Sequence, residues 1–256
     1  MSLVVAIAVR QFLIASVLAI VPLTAAHGQT NTKPNSAVYD VKYVHGWQIK
    51  INHRLVAEDN RAMDVPLRIL NQQLAAIEKV VPAAAVKRLK EVTLWFNPEY
   101  PGVRPGAEYH PGQDWLIEQG RNPDMVKGVE FTNVRIFAHE YTRMPCFVLH
   151  ELAHSYHDRV LGFENAEIEK AYNAARASGK YDKVARHNGE GRPDTVDKAY
   201  AMSNAREYFA ESTEAFFGQN DFYPFNRSEL LAVDPGIATV LQNVWFRSAH
   251  SSGKAR

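Results

Sequence analysis

Apolar and polar residues follow two different periods along the chain. Runs of β-branched and aromatic residues, partly alternating with polar ones, predict four short strands at 38–44, 47–52, 92–96 and 129–138. The first two strands flank His45-Gly46 and are predicted to form a hairpin. The segment Pro98–Gly112 between the last two is rich in proline and glycine, which predicts a loop.

A period of three to four residues predicts helices at 65–81, 145–160, 165–177, 204–217 and 237–245. Asp64 is predicted to cap the first helix, and Pro145 to open the second, at a position where a missing N–H costs nothing. Gly162 and Gly218 are predicted to end two of them. A small N-terminal mixed sheet followed by a mostly helical C-terminal half indicates an α+β fold.

The composition is that of a folded protein rather than a disordered one. The chain has 256 residues, of which 46% are hydrophobic and 22% charged, a size and balance that fit one domain. The net charge is +1 and no run of basic residues occurs, so nothing indicates a nucleic-acid partner. Cys146 is the only cysteine, which excludes an intrachain disulfide.

The first 28 residues are predicted to be a signal peptide. Arg10 precedes an apolar run over Phe12–Leu23, and small residues suited to signal peptidase follow it. The run is short for a bilayer span, although an uncleaved N-terminal anchor is the alternative. Residues 29–36 are predicted to be a linker, and 37–250 a single domain. We therefore expect a secreted or periplasmic protein without stable membrane association after cleavage.

The strongest chemical signal is the run from His150 through Glu151 to His154 on the second long helix. Residues four apart lie on one helix face, about 6 Å apart along the axis, so two imidazoles can converge on one metal ion. Glu151, about 100° round the helix, can reach a water beside that ion. Two histidines and a glutamate in this pattern indicate catalytic zinc, with His150 and His154 as ligands and Glu151 as general base.

A catalytic zinc usually has a third protein ligand, and several residues compete for that role. His157 lies near the face of His154 but about 10 Å along the axis from His150, too far for a straight helix to bring all three to one ion. Cys146 has a similar difficulty and is expected to pack in the core. Asp194 or Asp197 would suit enzymes with an aspartate ligand.

The better candidates are three glutamates on the helix 204–217. Glu207, Glu211 and Glu214 form one acidic stripe on a helix whose other residues are largely apolar and aromatic. Carboxylates in such surroundings need a cation or hydrogen-bond donors. A zinc ion on the neighbouring helix would supply that charge, and Glu211 could orient the second ring nitrogen of a ligand histidine.

His150–His154 followed by Glu207-Tyr208-Phe209-Ala210-Glu211 resembles the catalytic domain of lethal-factor-like metallopeptidases, which are gluzincins. The resemblance covers roughly 129–217 and implies a zincin-like fold. It implies that Glu207 is the third zinc ligand and that Glu211 lies behind the site. It also implies that Tyr200 stabilises the oxyanion of the reaction.

The expected function is therefore that of an exported zinc metallopeptidase with one Zn²⁺ per chain and a peptide or protein substrate. By analogy with gluzincins, a strand preceding the zinc helix would align the peptide at the sheet edge. Two alternatives stay open: an exported zinc-binding module without turnover, and a zinc amidase acting on a non-peptide or cell-wall amide. The remaining histidines, among them His110, His139 and His187, have no partner that the sequence identifies.

Overall fold

A computed structural model describes residues 37–246 of the chain. The predicted signal peptide (1–28), the predicted linker (29–36) and the last residues of the predicted domain (247–250) lie outside the described residues. Within the described range, no helix is long and apolar enough to cross a membrane.

Five strands form a mixed sheet in the order β1-β2-β3-β5-β4. They are β1 Tyr39–Val44, β2 Trp47–Asn52, β3 Leu94–Phe96, β4 Ala107–Tyr109 and β5 Val129–Phe131. β1 and β2 form the predicted antiparallel hairpin, β2, β3 and β5 run parallel, and β4 is antiparallel to β5 at the edge. A separate two-stranded sheet pairs β6 Val184–Arg186 with β7 Thr195–Asp197.

Helices dominate the second half of the described chain, so the predicted α+β class is confirmed. The α-helices are α1 His53–Glu58, α2 Asp64–Val80, α3 Ala83–Leu89, α4 Gln113–Glu118, α5 Phe137–Arg143, α6 Phe147–Tyr156, α7 Ala166–Ser178, α8 Ala205–Phe217, α9 Arg227–Val233 and α10 Pro235–Phe246. The five short ones, α1, α3, α4, α5 and α9, were not predicted, because six or seven residues are too few to show a helical period.

Two predicted helix starts are wrong. Met63, not Asp64, is the N-cap of α2, and no side chain caps that helix. Pro145 does not open the zinc-motif helix, because α6 begins at Phe147 with Cys146 as its N-cap. The helical segment does continue beyond α6, as a π-helical turn over His157–Leu161, and Gly162 follows it at φ 81°, as a terminating glycine should.

The predicted strand 129–138 is correct only at its beginning. β5 ends at Phe131, and a 3₁₀ turn at Val134–Ile136 leads into α5. The predicted loop Pro98–Gly112 holds β4, and the segment 179–194, whose glycine, asparagine and aspartate residues also predict a loop, holds β6. Both strands owe their extended form to pairing with β5 and β7 rather than to local alternation. β5 is therefore an inner strand, and β4 is one of the two edge strands of the sheet, with β1 at the other edge.

The hydrophobic core fixes α6 against α8. Tyr156 at the end of α6 stacks on Trp245 of α10 with ring centroids 4.1 Å apart, and Phe209 of α8 stacks on the same indole at 6.0 Å. All three side chains are almost completely buried. Such aromatic contacts each contribute about 0.5–1.5 kcal/mol beyond area burial. They hold the histidine-bearing helix and the glutamate-bearing helix side by side.

Candidate metal centre

α6 brings the two histidines of the motif together. The Nε2 atoms of His150 and His154 lie 3.1 Å apart, and their ring centroids are 4.8 Å apart at an interplanar angle of 80°. His150 is 4% exposed, and burying its imidazole without polar partners would be costly. The spacing of four residues thus places both imidazoles on one face of α6, as helix geometry predicts.

α8 supplies a carboxylate to the same point. Glu207 Oε2 lies 3.2 Å from His150 Nε2 and 3.3 Å from His154 Nε2. Asn204 caps α8 by accepting from the backbone N–H of Arg206 and Glu207, which holds the first turn in place. Burial opposes ionisation of Glu207, yet the two imidazoles hold the pKa of its carboxyl well below the ordinary 4.5.

These three ligand atoms fit a small divalent cation. Zinc bound at about 2.0 Å in tetrahedral geometry separates its ligand atoms by about 3.3 Å. The observed separations are 3.1, 3.2 and 3.3 Å. The structure therefore brings together His150, His154 and Glu207, the set that the sequence analysis named.

The outer nitrogen of His150 contacts Glu214 rather than Glu211. His150 Nδ1 lies 2.7 Å from Glu214 Oε1 and 3.8 Å from Glu211 Oε1, so only Glu214 is within hydrogen-bonding distance. Burial and the neighbouring Glu214 raise the pKa of Glu211 well above its ordinary value. A proton on Nδ1, donated to Glu214, leaves the Nε2 lone pair free for a metal. Glu211 does lie behind the site, but the orienting contact belongs to Glu214.

The side chain of Glu151 reaches from α6 to the edge strand β4. Its Oε2 accepts a hydrogen bond from the backbone N–H of Tyr109 at 2.8 Å, and its side chain is 9% exposed. Burial raises the pKa of the Glu151 carboxyl above the ordinary 4.5. A carboxylate with a raised pKa is a better proton acceptor near neutral pH. The second oxygen, Oε1, accepts no hydrogen bond from the described residues.

Tyr200 lines the same cleft. It opens a 3₁₀ turn over Tyr200–Met202 and is 50% exposed. Burial of part of its ring and the nearby charge of Glu207 raise the pKa of its hydroxyl, which therefore stays protonated and able to donate. The cleft has a volume of about 1160 Å³ and is lined by His150, Glu151, His154 and Tyr200 together.

The other proposed third ligands do not reach the centre. His157 is completely buried between Phe163 and Phe209, and neither ring nitrogen has a hydrogen-bond partner. The Cys146 thiol accepts from the Gln219 N–H at 3.4 Å, and burial raises its pKa to about 12.

The two aspartates proposed as ligands are held elsewhere. Asp194 bonds to His187 at 2.8 Å. Asp197 lines the cleft, but its carboxylate accepts from Thr195 and lies 4.0 Å from Arg186.

His110, which the sequence left without a partner, belongs to a buried polar network. Its Nε2 lies 2.9 Å from Glu130 Oε2, and Glu130 also accepts from Asn97 and Tyr100. Glu108, His110 and Glu130 lie close enough to share a metal ion. Arg121 contacts Glu108 at 2.6 Å and Glu130 at 3.1 Å, however, so a guanidinium already supplies the positive charge.

His139 and His187 lie at the surface. Their imidazoles are 42% and 43% exposed and lie beside Glu140 and Asp194.

Sequence analysis missed the part that β4 plays. Tyr109 lies in a segment predicted to be a loop, and three residues pairing with a distant strand leave no local pattern. The contact of Glu214 was within reach, because this residue belongs to the acidic stripe. Only the packing of α6 on α8 decides which of its members faces His150.

Comparison of the chain with protein-family models found no match, and no curated protein or solved structure matches it either. The likeness to lethal-factor-like metallopeptidases therefore rests on the two helical motifs and stays a prediction. What can be argued about function has to come from the centre itself.

Proposed function

We propose that this protein is an exported zinc metallopeptidase of the gluzincin type with a zincin-like fold. The observation that carries the proposal is the convergence of His150 Nε2, His154 Nε2 and Glu207 Oε2 within 3.3 Å of one another, beside Glu151. One Zn²⁺ per chain would be held by these three residues. When bound, it supplies a Lewis acid that acidifies water and polarises a carbonyl group.

The chain's own residues then have distinct tasks. Glu151 takes a proton from the attacking water at Oε1, while the Tyr109 N–H keeps Oε2 in place. The same carboxyl passes that proton to the departing amine. The Tyr200 hydroxyl donates to the oxyanion that develops on the substrate carbonyl. Glu214 keeps the His150 ring oriented through Nδ1.

A peptide is the substrate that the walls of the cleft favour. Gly106 bonds to Thr132 and His110 to Gly128, on either side of β5, so the alternation of an antiparallel pair turns the backbone groups of Ala107 and Tyr109 away from the sheet. The Tyr109 N–H is bonded to Glu151, which leaves the Tyr109 carbonyl and the backbone groups of Ala107 for a peptide. An extended peptide can add to this edge beside Glu151. β4 thereby replaces the strand 129–138 as the expected aligning strand. The cleft volume of about 1160 Å³ exceeds that of most small-molecule sites.

Glu151→Gln tests the mechanism. We expect the purified chain without its signal peptide to contain one zinc and to cleave peptides of a mixed library, with cleavage lost on chelation. The amide cannot accept the proton, so the variant should lose hydrolysis by a factor of at least about 100 and keep its zinc. An active variant would refute the role of Glu151.

The same assays separate the alternatives. Zinc at one per chain without hydrolysis of peptides or other amides would indicate a binding module. Cleavage of cell-wall amides with intact peptides would indicate an amidase. Absence of zinc in a chain that binds no added zinc would refute the metal centre.

A further inference from the structure

We propose that the cleft contains a carboxylate-binding subsite built on Arg186 and Arg143, so that the enzyme selects peptides with an acidic group near the scissile bond. This inference rests on the proposed peptidase function and adds the class of substrate. The carboxylate could be an aspartate or glutamate side chain or the C-terminus of the peptide. Both sources present the same planar anion to a guanidinium.

The Arg186 guanidinium has carboxylates nearby but no hydrogen-bonded partner among the described residues. Its guanidinium stacks over the Phe222 ring at 4.6 Å, and its side chain is 30% exposed within the lining of the cleft. It makes no side-chain hydrogen bond to the described residues. Its nearest carboxylates, Asp221 at 3.6 Å and Asp197 at 4.0 Å, lie beyond hydrogen-bonding distance. The stacked ring orients the guanidinium while its N–H groups stay available.

Arg143 lies beside it and shares the same carboxylate. Its Nη2 bonds to Glu140 at 2.7 Å, its Nη1 reaches Asp221 at 3.3 Å, and its Nε has no partner. Asp221 therefore faces two guanidiniums with a single oxygen, while its Oδ1 is unpartnered. Burial raises the pKa of Asp221, although the charges of Arg143 and Arg186 oppose this shift. A substrate carboxylate would accept hydrogen bonds from the guanidinium N–H groups that lack a partner.

The rest of the cleft is consistent with an acidic ligand. Its other carboxylates outside the metal centre are paired, Glu108 and Glu130 with Arg121 and Glu140 with Arg143, or buried. Asp197 is the exception, because its side chain is 45% exposed, accepts from Thr195 and lies 4.0 Å from Arg186. Two further cleft arginines, Arg104 and Arg206, make no side-chain hydrogen bond or ion pair with the described residues, although Arg206 stacks on Phe163 at 4.0 Å. Apart from Asp197, the charges of the cleft walls that lack a hydrogen-bonded partner of opposite sign are thus positive.

The competing explanation is that the two arginines serve only to neutralise the carboxylates behind the metal centre. Asp221, Glu211 and Glu214 are buried and electrostatically close, so a stabilising role is physically sound. It predicts lower stability in arginine variants, with no change in which peptides are selected. Substrate selection therefore distinguishes the two explanations.

The experiment uses two libraries of random nonapeptides, one with free and one with amidated C-termini. Both are digested by the zinc-loaded mature chain, and the products are sequenced by mass spectrometry. We expect aspartate and glutamate to be enriched about tenfold over asparagine and glutamine at one position, from the strength of a charged hydrogen bond. If the terminus is the ligand, cleavage should instead fall at a constant distance from a free C-terminus and be lost on amidation.

Arg186→Gln should abolish this enrichment. Arg186→Lys should retain part of it, because lysine keeps the positive charge but lacks the planar pair of N–H donors of a guanidinium. Arg88→Gln is the matched control: it removes the same charge from an exposed ion pair with Glu91 outside the cleft. Its enrichment should equal that of the wild type. Thermal melting of each variant shows whether it is folded.

A second readout does not depend on turnover. The zinc-loaded Glu151→Gln chain is immobilised, and the peptides that it retains are sequenced, with and without Arg186→Gln. If the wild type cleaves no peptide but acidic peptides are retained, the proposed function fails and the subsite stands. Cleavage or retention without an acidic preference, or a preference unchanged in both Arg186 variants, would overturn the subsite.

Discussion

His157 allows a stability prediction whose magnitude follows from its surroundings. The imidazole is completely buried, with ring centroids 5.2 Å from Phe163 and 4.9 Å from Phe209, and neither nitrogen has a hydrogen-bond partner. Burial lowers the pKa of His157 from the ordinary 6.5 to about 4. The folded chain therefore resists a proton that the unfolded chain accepts.

The sign of the effect follows from this difference. Above about pH 6.5 both states carry a neutral His157, so it imposes no penalty there. As the pH falls, the unfolded state is protonated first, and stability is lost down to about pH 4. The two pKa values correspond to a total loss of about 3 kcal/mol, of which about 2 kcal/mol occurs by about pH 5.

His157→Phe should remove this dependence. Urea unfolding of the chelator-treated wild type and variant at about pH 7.5 and about pH 5 gives four free energies of unfolding. Their double difference should be about 2 kcal/mol, with the variant losing less. Any cost of fitting the larger ring cancels, because it is the same at both pH values. His139→Phe controls for the loss of an exposed imidazole.

Two results would refute the reasoning. An equal loss of stability in wild type and His157→Phe would mean that the buried imidazole is protonated in the folded state or has a polar partner. If the His157→Phe variant lost its bound zinc without chelator treatment, His157 would instead be a zinc ligand.

Four further outcomes concern the centre and the buried polar network around Glu130. Glu207→Ala should lower zinc occupancy, measured by metal titration, far more than Glu211→Ala; equal occupancy in these two variants would refute the ligand assignment. In the same titration, Glu214→Gln should weaken zinc affinity about 10- to 100-fold. Tyr200→Phe should lower kcat about 100-fold at nearly unchanged KM, and an unaltered kcat would exclude an oxyanion contact. Glu130→Ala should cost about 3–5 kcal/mol of stability in urea unfolding, because it leaves buried donors and a buried guanidinium without their shared carboxylate; a cost below about 1 kcal/mol would contradict that account.

The fold was predictable where the signal is local. The hairpin of β1 and β2 and the long helices α2, α7, α8 and α10 follow from periodicity within a single segment, and Gly218 ends α8 as predicted. The strands β4 and β6 were not predictable in this way, because three residues become a strand only when a partner strand meets them. The order of the sheet, with β5 inside and β4 at the edge, depends equally on distant pairing.

The same division holds for the candidate site. The sequence alone determined that His150 and His154 share a helix face and that Glu207 belongs to an acidic stripe, because helix geometry converts spacing into position. Only the tertiary structure decided that Glu214, not Glu211, meets the Nδ1 of His150, and that Tyr109 holds Glu151. Those contacts join segments 42 and 64 residues apart in the chain. They depend on how α6 packs against α8 and the sheet edge, which no local pattern of residues encodes.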